Sequence, residues 1–352
     1  MKILLVRLSS LGDVLHTLPA ITDLQAQFAD LDLHWLLEPG LASVATWHPA
    51  VTRVIPFSLR QLRAQWRRLP GAVQKLRRTL RNEHYDLVLD SQGLYKSAIL
   101  ARLAGAPVVG LDGGSAREPG ATRLYARRYA VPWGQPAIQR NRQLFSQAFA
   151  YACPAGAPAY GLSEVAQRWQ QEPLPAPWAE LTAQPFVLGF HATSRVWQNK
   201  EWPVRHWRSL AVQLEEAGRR LLLPAIDARE RARVESIVET ARNVLALPPA
   251  SLEALGRVMV RAQAFVGMDT GLSYVAAALG LAGVTLYGPT APEQGGADPR
   301  LPALTSSEFC APCGAVRCRR VQQSTAPIPC QESLLPEAVW SALRPLLVTD
   351  RP

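Results

Sequence analysis

An aspartate set where a buried strand gives way to a helix is the first group in this sequence that could move a proton. It is Asp13, in the run 8–19, which reads LSSLGDVLHTLP and follows apolar residues at 3–6. Small polar residues and a glycine at that junction make a turn whose backbone N–H groups can face an anion. Two roles stay open for Asp13. It can cap the helix that starts there, which stabilises a helix by about 1 kcal/mol, or it can act as a general base.

A second set of groups suits a phosphate. His191-Ala192-Thr193-Ser194 follows the apolar run 186–190 and offers hydroxyls and N–H groups. Met268-Asp269-Thr270-Gly271 likewise follows an apolar run and opens a helix, so its amides point toward an anion. A helix cap is the plainer role for Asp269. Asp227 follows the second strand of this half, where an acid commonly bonds ribose hydroxyls; Glu230 is the nearby alternative, and an exposed surface acid is a third reading. Asp30-Leu31-Asp32 has an Asp-X-Asp form, but so short a pattern recurs by chance and it lies between a helix and a strand. No catalytic metal is expected.

Two further clusters stand out. From Arg53 to Arg81 there are nine Lys or Arg residues and no Asp or Glu. Arg60, Arg63 and Arg67 in that stretch are three and four apart, so they share one helical face. A solvated face usually mixes charge signs; this one is a candidate anion-binding surface. Cys310, Cys313, Cys318 and Cys330 read C-x2-C-x4-C-x11-C. Four thiolates suit a tetrahedral zinc or iron, structural because no coordination position is left open; buried, reduced thiols are the alternative.

These groups need elements to carry them. Short apolar runs fall at 3–6, 34–37, 54–57, 87–89 and 108–111, then at 186–190, 221–223, 244–247, 264–266 and 284–287. Helical patterns lie between them, as at 62–81 and 96–104. This alternation predicts an α/β fold of two doubly wound, Rossmann-like parallel sheets. Pro173, Pro175 and Pro177 cannot all sit in a helix or a central strand, so the chain is divided into a first domain 1–172, a linker 173–184 and a second domain 185–352. Ligands of such sheets bind at the carboxyl ends of strands, and the two sets of ends are expected to face a common cleft.

Composition sets outer bounds. The chain has 352 residues, 48% hydrophobic and 19% charged, which is a globular balance long enough for two domains. A formal net charge of +10 implies an anionic partner: nucleic acid, an anionic membrane surface or a phosphorylated substrate. Arg7 interrupts the first apolar run, well short of a secretory segment's length, and no later run approaches the ~18 residues of a membrane span. A cytoplasmic protein, at most peripheral to a membrane, is expected, and its cysteines should not pair as structural disulfides. No aromatic stacking motif or reading helix marks a nucleic-acid binder, so no nucleic-acid partner is expected. The first loop lacks the G-x-G-x-x-G of a dinucleotide oxidoreductase.

The ordered motifs carry a resemblance. The run at 8–19 is similar to the N-terminal signature of the lipopolysaccharide heptosyltransferases, which use ADP-heptose. Further matches follow in order: LDSQGLYKSA at 89–98, AREP at 116–119, HATSR at 191–195, KEWP at 200–203, MDTGLSYVAAAL at 268–279 and YGPT at 287–290. They span nearly the whole chain and are nearest the heptosyltransferase I type, which adds the first heptose to the Kdo sugar of Kdo-lipid A. The resemblance implies the GT-B fold and an inverting transfer with Asp13 as base. It implies acceptor contacts at Ser10, Gly12, Lys96 and Arg117, with Arg60, Arg63 and Arg67 meeting the acceptor's carboxylates and phosphates. On the donor side it implies Thr193, Ser194, Asp227, Asp269, Thr270 and Gly271 around ADP-heptose. Lys200 would be the cation at the leaving diphosphate, with Arg195 as its substitute because the segment 195–199 is longer than the family pattern. Heptosyltransferase II and a protein heptosyltransferase share the donor chemistry and remain alternatives. The partners implied are ADP-heptose, Kdo-lipid A or a related anionic glycolipid, and the inner membrane surface.

Overall fold

Near-continuous apolar runs flanked by glycine-containing turns become strands buried on both faces, the habit of parallel sheets. The computed structural model describes residues 1–59, 67, 69–194, 196–239, 241–295, 298–321 and 327–347. It divides into two compact units, Met1–Leu162 and Ser163–Pro352.

The first unit is one six-stranded sheet in the order β3-β2-β1-β4-β5-β6, all parallel. Its strands are β1 (Lys2–Val6), β2 (Asp32–Leu37), β3 (Val51–Pro56), β4 (Leu87–Asp90), β5 (Val108–Leu111) and β6 (Arg127–Tyr129). Helices α1 (Leu11–Leu15), α2 (Leu18–Gln27), α3 (Leu69–Arg81), α4 (Tyr95–Arg102) and α5 (Ala137–Ala148) cover them. Leu4, Val6, Leu36, Val88 and Val108 meet Leu76, Leu80, Ala98 and Ala101 in one core. In α3 the buried Leu76 and Leu80 are four apart, while Lys75, Arg77, Arg78 and Arg81 face solvent, as an amphipathic helix requires.

The second unit repeats the plan with strands in the order β12-β11-β10-β7-β8-β9. They are β7 (Phe186–Phe190), β8 (Arg220–Pro224), β9 (Val244–Leu247), β10 (Ala264–Met268), β11 (Gly283–Tyr287) and β12 (Ala303–Thr305). Its helices include α6 (Ser163–Gln171), α7 (Val204–Glu216), α8 (Ala228–Val238), α9 (Leu252–Met259), α10 (Gly271–Ala278) and α11 (Pro336–Leu343). Trp202, Trp207, Leu221, Val266, Leu286 and Val339 form its core.

Both sheets have the 3-2-1-4-5-6 order of a Rossmann fold, so each has one switch point where the strand order reverses. It lies between β1 and β4 in the first unit, and between β7 and β10 in the second. Ten of the twelve strands fall on apolar runs of the sequence; the edge strands β6 and β12 do not, being three-residue segments with exposed side chains. The division between the units also differs from the expected one. Helix α6 belongs with the second unit, because Trp169 is buried against α9 beside Gly256 and Arg261 donates to the carbonyls of Gln170 and Glu172. The proline-rich stretch therefore lies inside the second unit and not between the two.

Candidate active site

The loops after β1 and β4 flank the first switch point, and β1 delivers Asp13 to it. Residues Val6 and Asp90 are register partners, so both loops leave the sheet side by side. Asp13 is the third residue of α1, and its Oδ2 accepts from the Ser10 N–H at 2.9 Å and the Ser10 hydroxyl at 3.0 Å. The cap role open in the sequence is thus filled. Oδ1 accepts from Nη2 of Arg7 at 2.8 Å, and the Asp13 side chain stays 20% exposed. Burial by itself would raise this carboxyl; Arg7, the Ser10 N–H, Arg117 and His16 outweigh it and hold it at about 2. Asp13 is therefore ionised at neutral pH.

Other expected groups of this unit are placed as follows. Ser10 is exposed and bonded to Asp13, Gly12 is buried within α1, and Lys96 is half-buried in the first turn of α4. Arg117 is exposed in the loop after β5 and near enough to Asp13 to lower its pKa. Arg67 is exposed, while Arg60 and Arg63 lie outside the described residues. Arg140, which sequence reasoning passed over, donates to the carbonyl of Ser115 at 2.7 Å and lies 3.8 Å from the centre of the Trp133 ring. Burial, then Arg7 and Arg117, lowers its pKa. Such crowding of like charges suits an anionic ligand.

At the second switch point, β7 leads into 191–200 and β10 into 269–271. His191 is buried, its Nε2–H donating to the Pro224 carbonyl at 2.8 Å. The Thr193 amide donates to Glu201 at 3.1 Å and its hydroxyl to the Trp197 carbonyl at 2.7 Å, so Thr193 braces its own loop. Arg229 clamps the same loop, donating to Glu201 and to the Thr193 carbonyl, both at 2.6 Å. Ser194 is exposed; Arg195 is outside the described residues.

Lys200 closes this loop. Its Nζ is 2.6 Å from Oδ2 of Asp269 and 4.4 Å from the Trp197 ring centre. Asp269 is buried and also accepts from the Thr290 hydroxyl at 2.8 Å and from the Tyr274 hydroxyl. The charge repulsion that a diphosphate would meet at Asp269 is thus offset by Lys200 in place. Thr270 is the residue before α10, and its buried hydroxyl has no partner among the described residues. Gly271 starts α10, whose first N–H groups lie at that end. Asp227 caps α8 by accepting from the Glu230 N–H at 2.9 Å, and the Glu230 side chain accepts from the Ile226 N–H, just before the cap, at 2.7 Å. Beside it, at the ends of β8 and β9, Trp178, Ala225, Ile226, Leu247, Pro248 and Leu272 line an apolar cavity of about 70 Å³.

The four cysteines of the C-terminal segment line one small cavity, about 20 Å³, shared with Asn199 and Pro289. Burial, then Cys313, Cys318 and Cys310, pushes the Cys330 thiol up to about 12. Among the described residues no three His, Cys, Asp or Glu side chains are set to hold a metal ion. The segment grips the Lys200 loop: Asn199 donates to the Ala315 carbonyl at 2.8 Å.

Arg7, Asp90, Gln92, Glu201 and Arg229 order the two sites and were not singled out in the sequence. The signal was there for Arg7 and Asp90, since a charge at the end of a buried strand has to be paired.

Comparison with known proteins agrees with the fold of two parallel-sheet units. Residues 73–322 match the family described as glycosyltransferase family 9 (heptosyltransferase). Lipopolysaccharide heptosyltransferase 1 of Pseudomonas aeruginosa is 42% identical over 317 residues, covering 89% of this chain and 86% of that protein. The structure of Escherichia coli heptosyltransferase WaaC with ADP superposes with a TM-score of 0.82 at 34% identity, covering 98% of this chain and all of that one. The same enzyme with ADP-2-deoxy-2-fluoro heptose gives a TM-score of 0.80, with 98% of this chain and 99% of that one covered at 34% identity. Two Rossmann-like units that match these structures, together with the family match, define a glycosyltransferase of the GT-B class. The chain belongs to glycosyltransferase family 9, the heptosyltransferases.

Proposed function

We propose that the enzyme transfers heptose from ADP-L-glycero-D-manno-heptose to the Kdo sugar of Kdo-lipid A, on the cytoplasmic face of the inner membrane. The acceptor hydroxyl gives its proton to Asp13 as its oxygen forms a bond to the anomeric carbon. The bond from that carbon to the diphosphate oxygen breaks, ADP leaves from the opposite side, and the configuration inverts. Negative charge grows on the diphosphate, and Lys200, the Thr270 hydroxyl and the first amides of α10 receive it. The apolar cavity beside Asp227 suits the adenine ring, and Asp227 or Glu230 the ribose. Arg67, Lys96, Arg117 and Arg140, with Arg60 and Arg63, take the acceptor's carboxylates and phosphates.

The observation that carries the donor reading is Thr270. A buried hydroxyl without a partner among the described residues, at a helix start beside the Lys200–Asp269 pair, suits an anion. The acceptor reading is supported by the relatives named lipopolysaccharide heptosyltransferase 1. The test is to supply ADP-heptose with Kdo-lipid A, with the already heptosylated lipid, and with protein, and to weigh the products. Heptose appearing on the heptosylated lipid alone would make this a second-step enzyme.

The thiol cluster is proposed as the seat of a structural zinc or iron. The four thiols line one small cavity, and a four-sulfur donor set suits either metal, although their side chains would have to draw together to ligate one. The metal would hold the segment that carries Ala315 against Asn199, and so the loop that carries Lys200. No catalytic step is assigned to it.

A further inference from the structure

Asp13 does not stand alone on its loop; two side chains at the first switch point hold it. Arg7 directly follows Val6 of β1 and is 9% exposed. Its Nη1 donates to the Ser91 carbonyl in the loop after β4, and its Nη2 to Oδ1 of Asp13. Gln92 holds the backbone of the base loop from the same side. Its Oε1 accepts from the Leu8 N–H at 2.9 Å and its Nε2 donates to the Ser9 carbonyl at 3.2 Å. Gln92 is fixed in turn, because its own N–H donates to Oδ1 of Asp90 at 2.9 Å. Asp90 is fully buried, and its Oδ2 accepts from Ser97 at 2.8 Å and Tyr125 at 2.7 Å. Gly93 turns the chain there at φ +69°, and an added Cβ would lie 3.2 Å from Ala116.

We propose that Arg7 and Gln92 are the positioning residues of the reaction: Arg7 aims the Asp13 carboxylate, and Gln92 fixes the peptide run that carries it. This rests on the reading of Asp13 as base. An ionised carboxylate has about four acceptor positions. Ser10 fills two on Oδ2 and Arg7 one on Oδ1, which leaves one position on Oδ1 open among the described residues. A carboxylate tethered in this way presents a single lone pair in one direction, as proton transfer from a bound hydroxyl requires. A buried ion pair is a poor source of stability compared with apolar packing, so Arg7 at the end of an otherwise apolar strand is explained by orientation. The titratable and charged groups that face Asp13 are Arg7 just after β1, His16 from the end of α1 and Arg117 from the loop after β5; Arg140 of α5 neighbours the last of these and Arg7.

The test compares Arg7→Gln, Arg7→Lys and Gln92→Met in the full-length enzyme, with kcat and kcat/KM measured against pH and ADP affinity by calorimetry. In Arg7→Gln, kcat is expected to fall about tenfold to a hundredfold, as misaimed groups do, with ADP affinity unchanged. The acid limb of kcat/KM should also rise, because burial then acts on Asp13 without its main counter-charge. Arg7→Lys should restore part of both. Gln92→Met carries no charge, so kcat should fall while the acid limb stays. Arg7→Gln with wild-type kcat and pH profile would overturn the role of Arg7. Gln92→Met that alters only the unfolding midpoint would overturn the role of Gln92. Asp13→Asn in the same assay separates the two readings: full activity there removes the base itself, whereas an inactive Asp13→Asn beside an unaffected Arg7→Gln removes only the positioning. Should Arg7→Gln not fold, Arg7→Lys decides, through its own pH limb and kcat.

Discussion

Asp13 accepts from Ser10 and Arg7 at once, and those bonds decide what a conservative change does to it. In Asp13→Asn, the new NH2 group must face either Arg7, which cannot accept from it, or Ser10, where the hydroxyl can turn to accept but the bond from the Ser10 N–H is lost. Some loss of the α1 cap is therefore expected, of about 1 kcal/mol. Turnover should fall far more, by about 10²–10⁴-fold, because the amide takes no proton. ADP affinity should hold. Near-normal turnover at matched folding would sink the assignment. Lys200 poses a different problem, since its charge is paired with Asp269 in the structure. In the proposed mechanism Lys200→Ala takes a cation from the leaving diphosphate, and among the described residues it leaves the buried Asp269 carboxylate with the Thr290 and Tyr274 hydroxyls. KM for ADP-heptose should rise and kcat fall, and the protein should lose about 1–3 kcal/mol of stability. Unchanged kinetics would hand the role to Arg195.

Elements show why some of this was legible in the sequence and some was not. Alternating apolar runs mark central strands, since a parallel strand buried on both faces must be apolar throughout. β6 and β12 are edge strands held on one side only, so Arg127, Arg128 and Thr305 need no such pattern. Asp13, Lys200 and Asp269 could be picked out as candidates because each lies in the segment that follows a central strand. Their supports, Gln92 and Arg229, could not, because they come from the loop after another strand or from a neighbouring helix that only the fold brings near. Trp197 gives the longer segment before Lys200 a use, as the ring against which the ammonium rests. The cysteine segment is the remaining element. If its thiols hold a metal, protein purified without a histidine tag should carry stoichiometric zinc or iron, and Cys313→Ser should raise KM for the donor through Asn199. Substoichiometric metal, with four freely titrating thiols in the folded protein, would rule the site out.

At the scale of the whole molecule, each unit contains a histidine that folding keeps neutral. His48 in the first unit is wholly buried; its Nδ1 accepts from the Ala50 N–H at 3.2 Å and its Nε2 meets the Thr22 hydroxyl at 2.9 Å. Gly161, at φ +68°, packs so closely on that ring that no Cβ fits. His191 in the second unit directly follows β7. Burial brings both imidazoles from 6.5 down to about 4. An unfolded chain thus binds more protons than the folded one between these values. Stability should be full above pH 6.5, decline as pH falls toward 4, and change no further from these groups below that. The limit is about 3 kcal/mol per histidine, at 1.36 kcal/mol for each pKa unit. Asp13 acts in a separate window, because its lowered pKa costs stability only as pH drops from 3.8 toward 2. Thermal unfolding followed from pH 8 to pH 4.5 should therefore show a falling midpoint that Asp13→Asn leaves in place. His48→Gln keeps an acceptor for Ala50 and cannot charge, so it should make the decline shallower without abolishing it, since burial also lowers His34 and His191. An equally steep decline in that variant would show that other groups bind the protons.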